Sequence, residues 1–111
     1  MSAINFNEVF QSLETGVASI AKTSLQGYYD AAKADGENAL ESMKANLERW
    51  TQEVVSGTLT PDDLGYLLKE EAGLNEMTAL KQAGLAEVKL DQFKGSLIGL
   101  IINTVTGLFK V

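Results

Sequence analysis

Apolar residues recur along this chain at spacings of three and four, the period that lays one stripe along an α-helix. The first run, residues 5–34, carries Phe6, Phe10, Leu13, Val17, Ile20, Ser24, Tyr28 and Ala31 on such a stripe. Its start is marked by Asn5, whose side chain can accept from a free helical N–H, with Glu8 three positions on and Ile4 and Val9 in the flanking staple positions. Gly16 and Gly27 each weaken the run by about 1 kcal/mol relative to alanine. Asp35-Gly36 reads as a stop, because glycine enters the left-handed conformation that ends many helices. A second helix over 37–56 then aligns Leu40, Met43, Leu47, Trp50 and Val54 in a coiled-coil-like seam. Glu41, Lys44, Glu48, Arg49, Gln52 and Glu53 fall on its opposite, solvated face.

Residues 57–60 are the clearest break. Thr60-Pro61-Asp62-Asp63 supplies an N-cap, a proline at the first helical position and acids at the positive end of the helix dipole, with Leu59 and Leu64 in staple positions. The spacing predicts a short third helix over 61–72, with Leu64, Leu67 and Leu68 pointing one way, ended by Gly73. Asn75 is placed to cap a fourth helix over 75–109, through Met77, Leu80, Leu85, Val88, Phe93, Leu97, Ile101, Val105 and Leu108. Unbroken, it would span roughly 50 Å, so a kink or break is expected near Gly84 or Gly95. The pattern predicts an all-α single domain over 1–111. Its architecture is expected to be a small antiparallel bundle of about four helices, the last one longest and most apolar.

The last helix decides the functional reading. Residues 95–111, GSLIGLIINTVTGLFKV, contain one charge, Lys110. On a helical wheel Gly95, Gly99, Asn103, Thr106 and Lys110 form a weakly polar strip, and Leu97, Ile98, Ile101, Ile102, Val105, Leu108 and Phe109 cover the rest. A rise of about 25 Å falls short of a bilayer core of roughly 30 Å, and Ser96, Asn103, Thr104 and Thr106 interrupt the run. An arc this wide exceeds what one hairpin can hide. Leu97, Ile98, Ile101, Val105, Leu108 and Phe109 are therefore the candidate interface, with Gly95 and Gly99, spaced as in close-packed helix pairs, as points of close approach. Burying five such side chains is worth at most about 10 kcal/mol, enough for association to stabilise the fold.

Composition narrows the remaining chemistry. A chain of 111 residues that is 45% hydrophobic and 22% charged is ordered rather than disordered. Nine basic residues under fifteen acidic ones, a net charge of -6, do not make a phosphate-binding surface, so no nucleic-acid partner is expected. Histidine and cysteine are both absent, which removes Ser-His-Asp and Cys-His nucleophiles, His- or Cys-based zinc sites and disulfides. The pairs Asp62/Asp63 and Glu70/Glu71 are adjacent, so on a helix they diverge by about 100 degrees and share no ion. Tyr28-Tyr29 and Trp50 lie on or beside the stripes and read as packing. The ten glycines form no phosphate loop. No catalytic residue, cofactor or metal is assigned.

The N-terminus MSAINFNEVF lacks the basic and apolar regions of a signal peptide, and cytoplasm is the expected compartment. The Trp-x-Gly turn of small secreted helical-hairpin dimers is not present, since Trp50 is followed by Thr51 and Gln52. Two functions fit. The first is a non-enzymatic self-assembly or protein-interaction module, homo-oligomeric through its C-terminal helix or paired with another helical protein. The alternative is a membrane-active or lipid-associated amphipathic-helix protein, since Lys89, Asp91, Lys94 and Lys110 give this end a net charge of +2.

Overall fold

Every regular element in the computed structural model, which describes residues 5–109 and at Phe109 the backbone alone, is helical. Among the described residues α1 spans Phe6–Ser24, a 3-10 turn Gln26–Tyr28 follows, and α2 spans Tyr29–Ser42. Then come α3 (Lys44–Ser56), α4 (Pro61–Lys69), α5 (Ala72–Glu76), α6 (Thr78–Gln82), α7 (Glu87–Thr106) and a terminal 3-10 turn, Gly107–Phe109. The all-α reading stands, but the long predicted helices are divided differently.

The N-caps at Asn5 and Thr60 and the break at Gly57 fall where the sequence places them. The Asn5 side chain accepts from the Glu8 N–H at 3.4 Å, and Val9 is buried; its predicted staple partner Ile4 lies outside the described residues. Gly57, at φ +87°, ends α3: its N–H bonds to Val54 O, and those of Thr58 and Leu59 both bond to Glu53 O. A side chain would resist that left-handed conformation. Thr60 and Asp63 then form a reciprocal capping box, at 3.0 Å from the Asp63 N–H to Thr60 Oγ1 and 3.2 Å from the Thr60 N–H to Asp63 Oδ2.

Four boundaries differ, one of them inside the predicted 37–56 helix, which breaks at Met43 (φ -108°, ψ 10°) between α2 and α3. The predicted 5–34 helix breaks at Leu25, whose N–H still closes onto Ala21 O while its own φ and ψ of -133° and 55° leave the helix. Asp35-Gly36 is no stop: both residues lie inside α2 and both are buried. The physical reason is packing. A Cβ on Gly36 would strike the fully buried Val17 side chain, so the glycine permits α2 to press against α1. Last, the predicted 75–109 helix exists as α5, α6 and α7. The separations are Met77, at φ +42°, and Gly84, at φ +88°, where Leu85 N–H bonds back to Leu80 O. Of the two expected break points Gly84 is used, and Gly95 lies within continuous helix.

Two smaller expectations fail with them. Helix α4 ends at Lys69, before Gly73. Gly73 sits inside α5, where a Cβ would collide with Ser42 Oγ and lie 3.2 Å from the Ala39 Cα, so it seats α5 on α2. Asn75 caps no N-terminus: its side-chain N–H groups donate to Glu71 O at 3.1 Å and Lys69 O at 3.4 Å, closing the C-terminal end of α4.

One core joins these elements. Phe6, Val9, Phe10, Leu13, Val17 and Ala21 of α1 face α2 and α7, and Leu40, Met43, Leu47, Trp50 and Val54 supply the second wall as the seam predicts. Leu64 and Leu68 of α4, with Leu74, Met77 and Leu80 from α5, the Met77 junction and α6, complete it around Phe93, Leu97, Ile101 and Val105 of α7. Lys44 lies on the solvent side of this wall with its Nζ 4.7 Å from the Phe10 ring centroid, a cation–π contact at the rim.

Candidate interaction face on the last helix

Helix α7 is the most apolar long element and packs on α1, α3 and α4. Glu87 in its first turn faces the positive end of the dipole, and no side chain caps its start at Ala86. The sequence-assigned interface residues divide on folding. Leu97, Ile98, Ile101 and Val105 are all buried by the chain's own helices, at 2%, 9%, 1% and 1% exposure. Leu108 is 40% exposed in the terminal turn. The Phe109 side chain and Lys110 lie outside the described residues.

Gly95 and Gly99 face the other way. A Cβ built on either meets no atom within 4 Å, so no helix of this chain approaches them. The close approaches inside the molecule are made at other glycines: Gly16, where a Cβ would come within 2.5 Å of the Leu100 side chain, Gly36 against Val17, Gly65 at 3.2 Å from Ile102, and Gly73 against Ser42. At Gly16 the sequence shows only a helix-weakening glycine. The signal for Gly36 was present: Ala32, Gly36, Ala39, Met43, Leu47, Trp50 and Val54 form one unbroken stripe if small residues are counted as apolar.

The open side of α7 thus consists of Gly95, Ser96 and Asn103, exposed, flanked by half-buried Gly99, Ile102 and Thr106, and no charged residue occurs from 95 to 109. Each of the other α-helices exposes at least one Asp, Glu, Lys or Arg. A second helix meeting this face would desolvate a few amide and hydroxyl groups and no ion, and no side chain larger than asparagine stands in the centre of its path.

Near the N-terminal half of α7 lies a polar notch of Asn75, Met77, Lys81, Glu87, Leu90, Asp91 and Lys94 with a volume of about 150 Å³. Its two ammonium groups are engaged by neutral acceptors. Lys81 Nζ donates to Asn75 O at 3.2 Å, and Lys94 Nζ donates to Asn75 Oδ1 and, at 3.5 Å, to Lys69 O. The notch therefore ties α4, α5 and α7 together, and with Glu87 and Asp91 beside the lysines it presents no net positive charge to an anion.

Asp63 belongs to the capping box, and Glu70 and Glu71 lie between α4 and α5 rather than on a shared helix. No three of His, Cys, Asp and Glu gather into a metal-binding group among the described residues. No helix among them is long and apolar enough to cross a membrane. The chain matches no family model, no curated protein and no solved structure.

Sequence reasoning missed Asp35 altogether. Its carboxyl group, 6% exposed, accepts from the Ala79 N–H at 3.0 Å and the Leu80 N–H at 2.7 Å, joining α2 to the start of α6 across more than forty residues of sequence. No local pattern announces a bond of that range.

Proposed function

We propose that this protein is a non-enzymatic helical module that associates with a second copy of itself through the open side of α7. The supporting observation is the uncharged surface around Gly95 and Gly99, with nothing packed on it, on a chain of net charge -6. In this reading the helices form an antiparallel, coiled-coil-like bundle working in a reducing, cytoplasmic setting. The interface lies on the side of α7 away from Leu97, Ile101 and Val105, which the chain's own core occupies.

The area sets the strength. Fifteen residues rising 1.5 Å each make a face about 22 Å long and about 10 Å wide, on the order of 200 Å². Stable interfaces cover about 800 Å² per partner. The face supplies about a quarter of that, so association is weak and concentration-dependent.

Sedimentation velocity from micromolar to hundreds of micromolar protein tests the reading. Mass is expected to rise above the 11.9 kDa of one chain, and Gly99→Glu is expected to hold the protein at one chain while leaving its fold intact. A wild-type monomer throughout that range overturns the proposal. Should that monomer also bind anionic vesicles, the surface would belong to a lipid partner instead.

A further inference from the structure

We propose that α5 and α6 form a strap that opens as a unit from the body of the molecule, with Asp35 as its latch. The two helices have five residues each, too short to persist without tertiary support. They lie mainly on α2, with α4 touching α5. Between them Met77 holds a left-handed conformation, φ +42° and ψ +46°, that a residue with a Cβ adopts against steric resistance. At the far end Gly84, at φ +88° with open space around it, joins the strap to α7. The turn at Glu70–Glu71 after α4 and the glycine exit delimit a segment that can leave together, with Met77 as a strained joint within it.

Four contacts hold the strap down. Leu74, Met77 and Leu80 enter the core. Gly73 permits α5 to lie against the Ala39 backbone. Lys94 of α7 and the Lys69 carbonyl of α4 fasten Asn75 at the rim. Asp35 is the remaining and most directed one, because its two oxygens accept from the first amides of α6 and replace the preceding turn that this short helix lacks. Leu74 closes an apolar crevice lined by Val17, Ala39, Leu40, Leu97 and Ile101. The closed strap is thus an intramolecular cover over surface shared by α2 and α7. This device is independent of the open side of α7, which faces away from that crevice.

Amide hydrogen exchange on the full-length protein, read residue by residue by NMR, tests the strap. In the wild type at low denaturant, the Leu80, Lys81 and Ala83 amides are expected to exchange faster than those of Leu13 and Ile101 and with a weaker dependence on denaturant, the mark of sub-global opening. In Asp35→Ala the strap amides are expected to lose a further ten- to hundredfold of protection, about the loss for hydrogen bonds to an acidic side chain. The α1 and α7 amides should change far less. Strap and core amides that exchange together in the wild type overturn the proposal, and so does an equal loss of protection everywhere in Asp35→Ala. If Asp35→Ala does not fold, the wild-type comparison decides.

Discussion

Alanine at Gly36 and alanine at Gly95 should move stability in opposite directions. Both glycines lie in helix interiors, where replacement by alanine gains roughly 0.5–1 kcal/mol from lower unfolded-state entropy and better helix propensity. Only the surroundings differ. At Gly36 the new methyl group meets the Val17 side chain, which is fully buried and β-branched and so has few rotamers to retreat into. Overpacking of this kind costs about 1–3 kcal/mol, leaving a net loss centred on about 1 kcal/mol and reaching about 2.5 kcal/mol. At Gly95 the methyl meets nothing within 4 Å, and the gain stands uncorrected. For a chain of this length the unfolding entropy makes 1 kcal/mol equal to about 4 °C in Tm. The gain is common to both, so the variants should lie apart by the overpacking cost alone, roughly 4–12 °C.

Thermal unfolding followed by circular dichroism measures this, with Trp50, 6% exposed, as a second probe in fluorescence. Dilute protein isolates the single chain. Repeating the melt at high concentration separates the interface, since a helix docked closely at Gly95 would turn its gain into a concentration-dependent loss. Shifts of the same sign and size in dilute solution would refute the account of Gly36 as a close-approach residue.

Further outcomes follow from the same packing. Ile101→Asp puts a carboxylate where a side chain 1% exposed now packs, and should unfold the protein by circular dichroism, whereas exposed Glu48→Gln should leave the melt within about 2 °C. Thr60→Ala removes one half of the capping box and is expected to cost about 1 kcal/mol by urea denaturation, with an unchanged m-value. Lys44→Ala removes the cation above Phe10, a loss of about 0.5–1 kcal/mol, and Lys44→Arg should restore it. Gly73→Val should unseat α5 from Ala39 and Ser42, seen as faster exchange of strap amides before any change in α1.

Which features were legible before the structure follows from the range of the forces involved. Caps and local breaks act within a few residues, so Thr60-Pro61 and Gly57 could be read directly from the chain, and Gly84 as one of two break points. The seam of Leu40, Met43, Leu47, Trp50 and Val54 was equally plain, because large apolar side chains at helical spacing have no alternative to burial. Val88 shows the limit: placed with the stripe, it is 66% exposed, since within α7 it falls on the side of Gly95 and Gly99, while Leu90 two residues on packs against the core.

Tertiary structure decided the rest. Asp35-Gly36 has the local chemistry of a turn, yet α2 runs through it because Gly36 lets Val17 in and Asp35 finds two amides on α6. Those contacts outweigh the intrinsic preference of two residues. Likewise, the sequence by itself determined that the chain is helical, where its main caps lie and that its last helix is too apolar to stand alone. It could not determine which side of that helix the chain would cover. Folding turned Leu97, Ile101 and Val105 inward and left Gly95 and Gly99 open, because that choice depends on where α1, α3 and α4 arrive in space, and no periodicity along one helix records the positions of its neighbours.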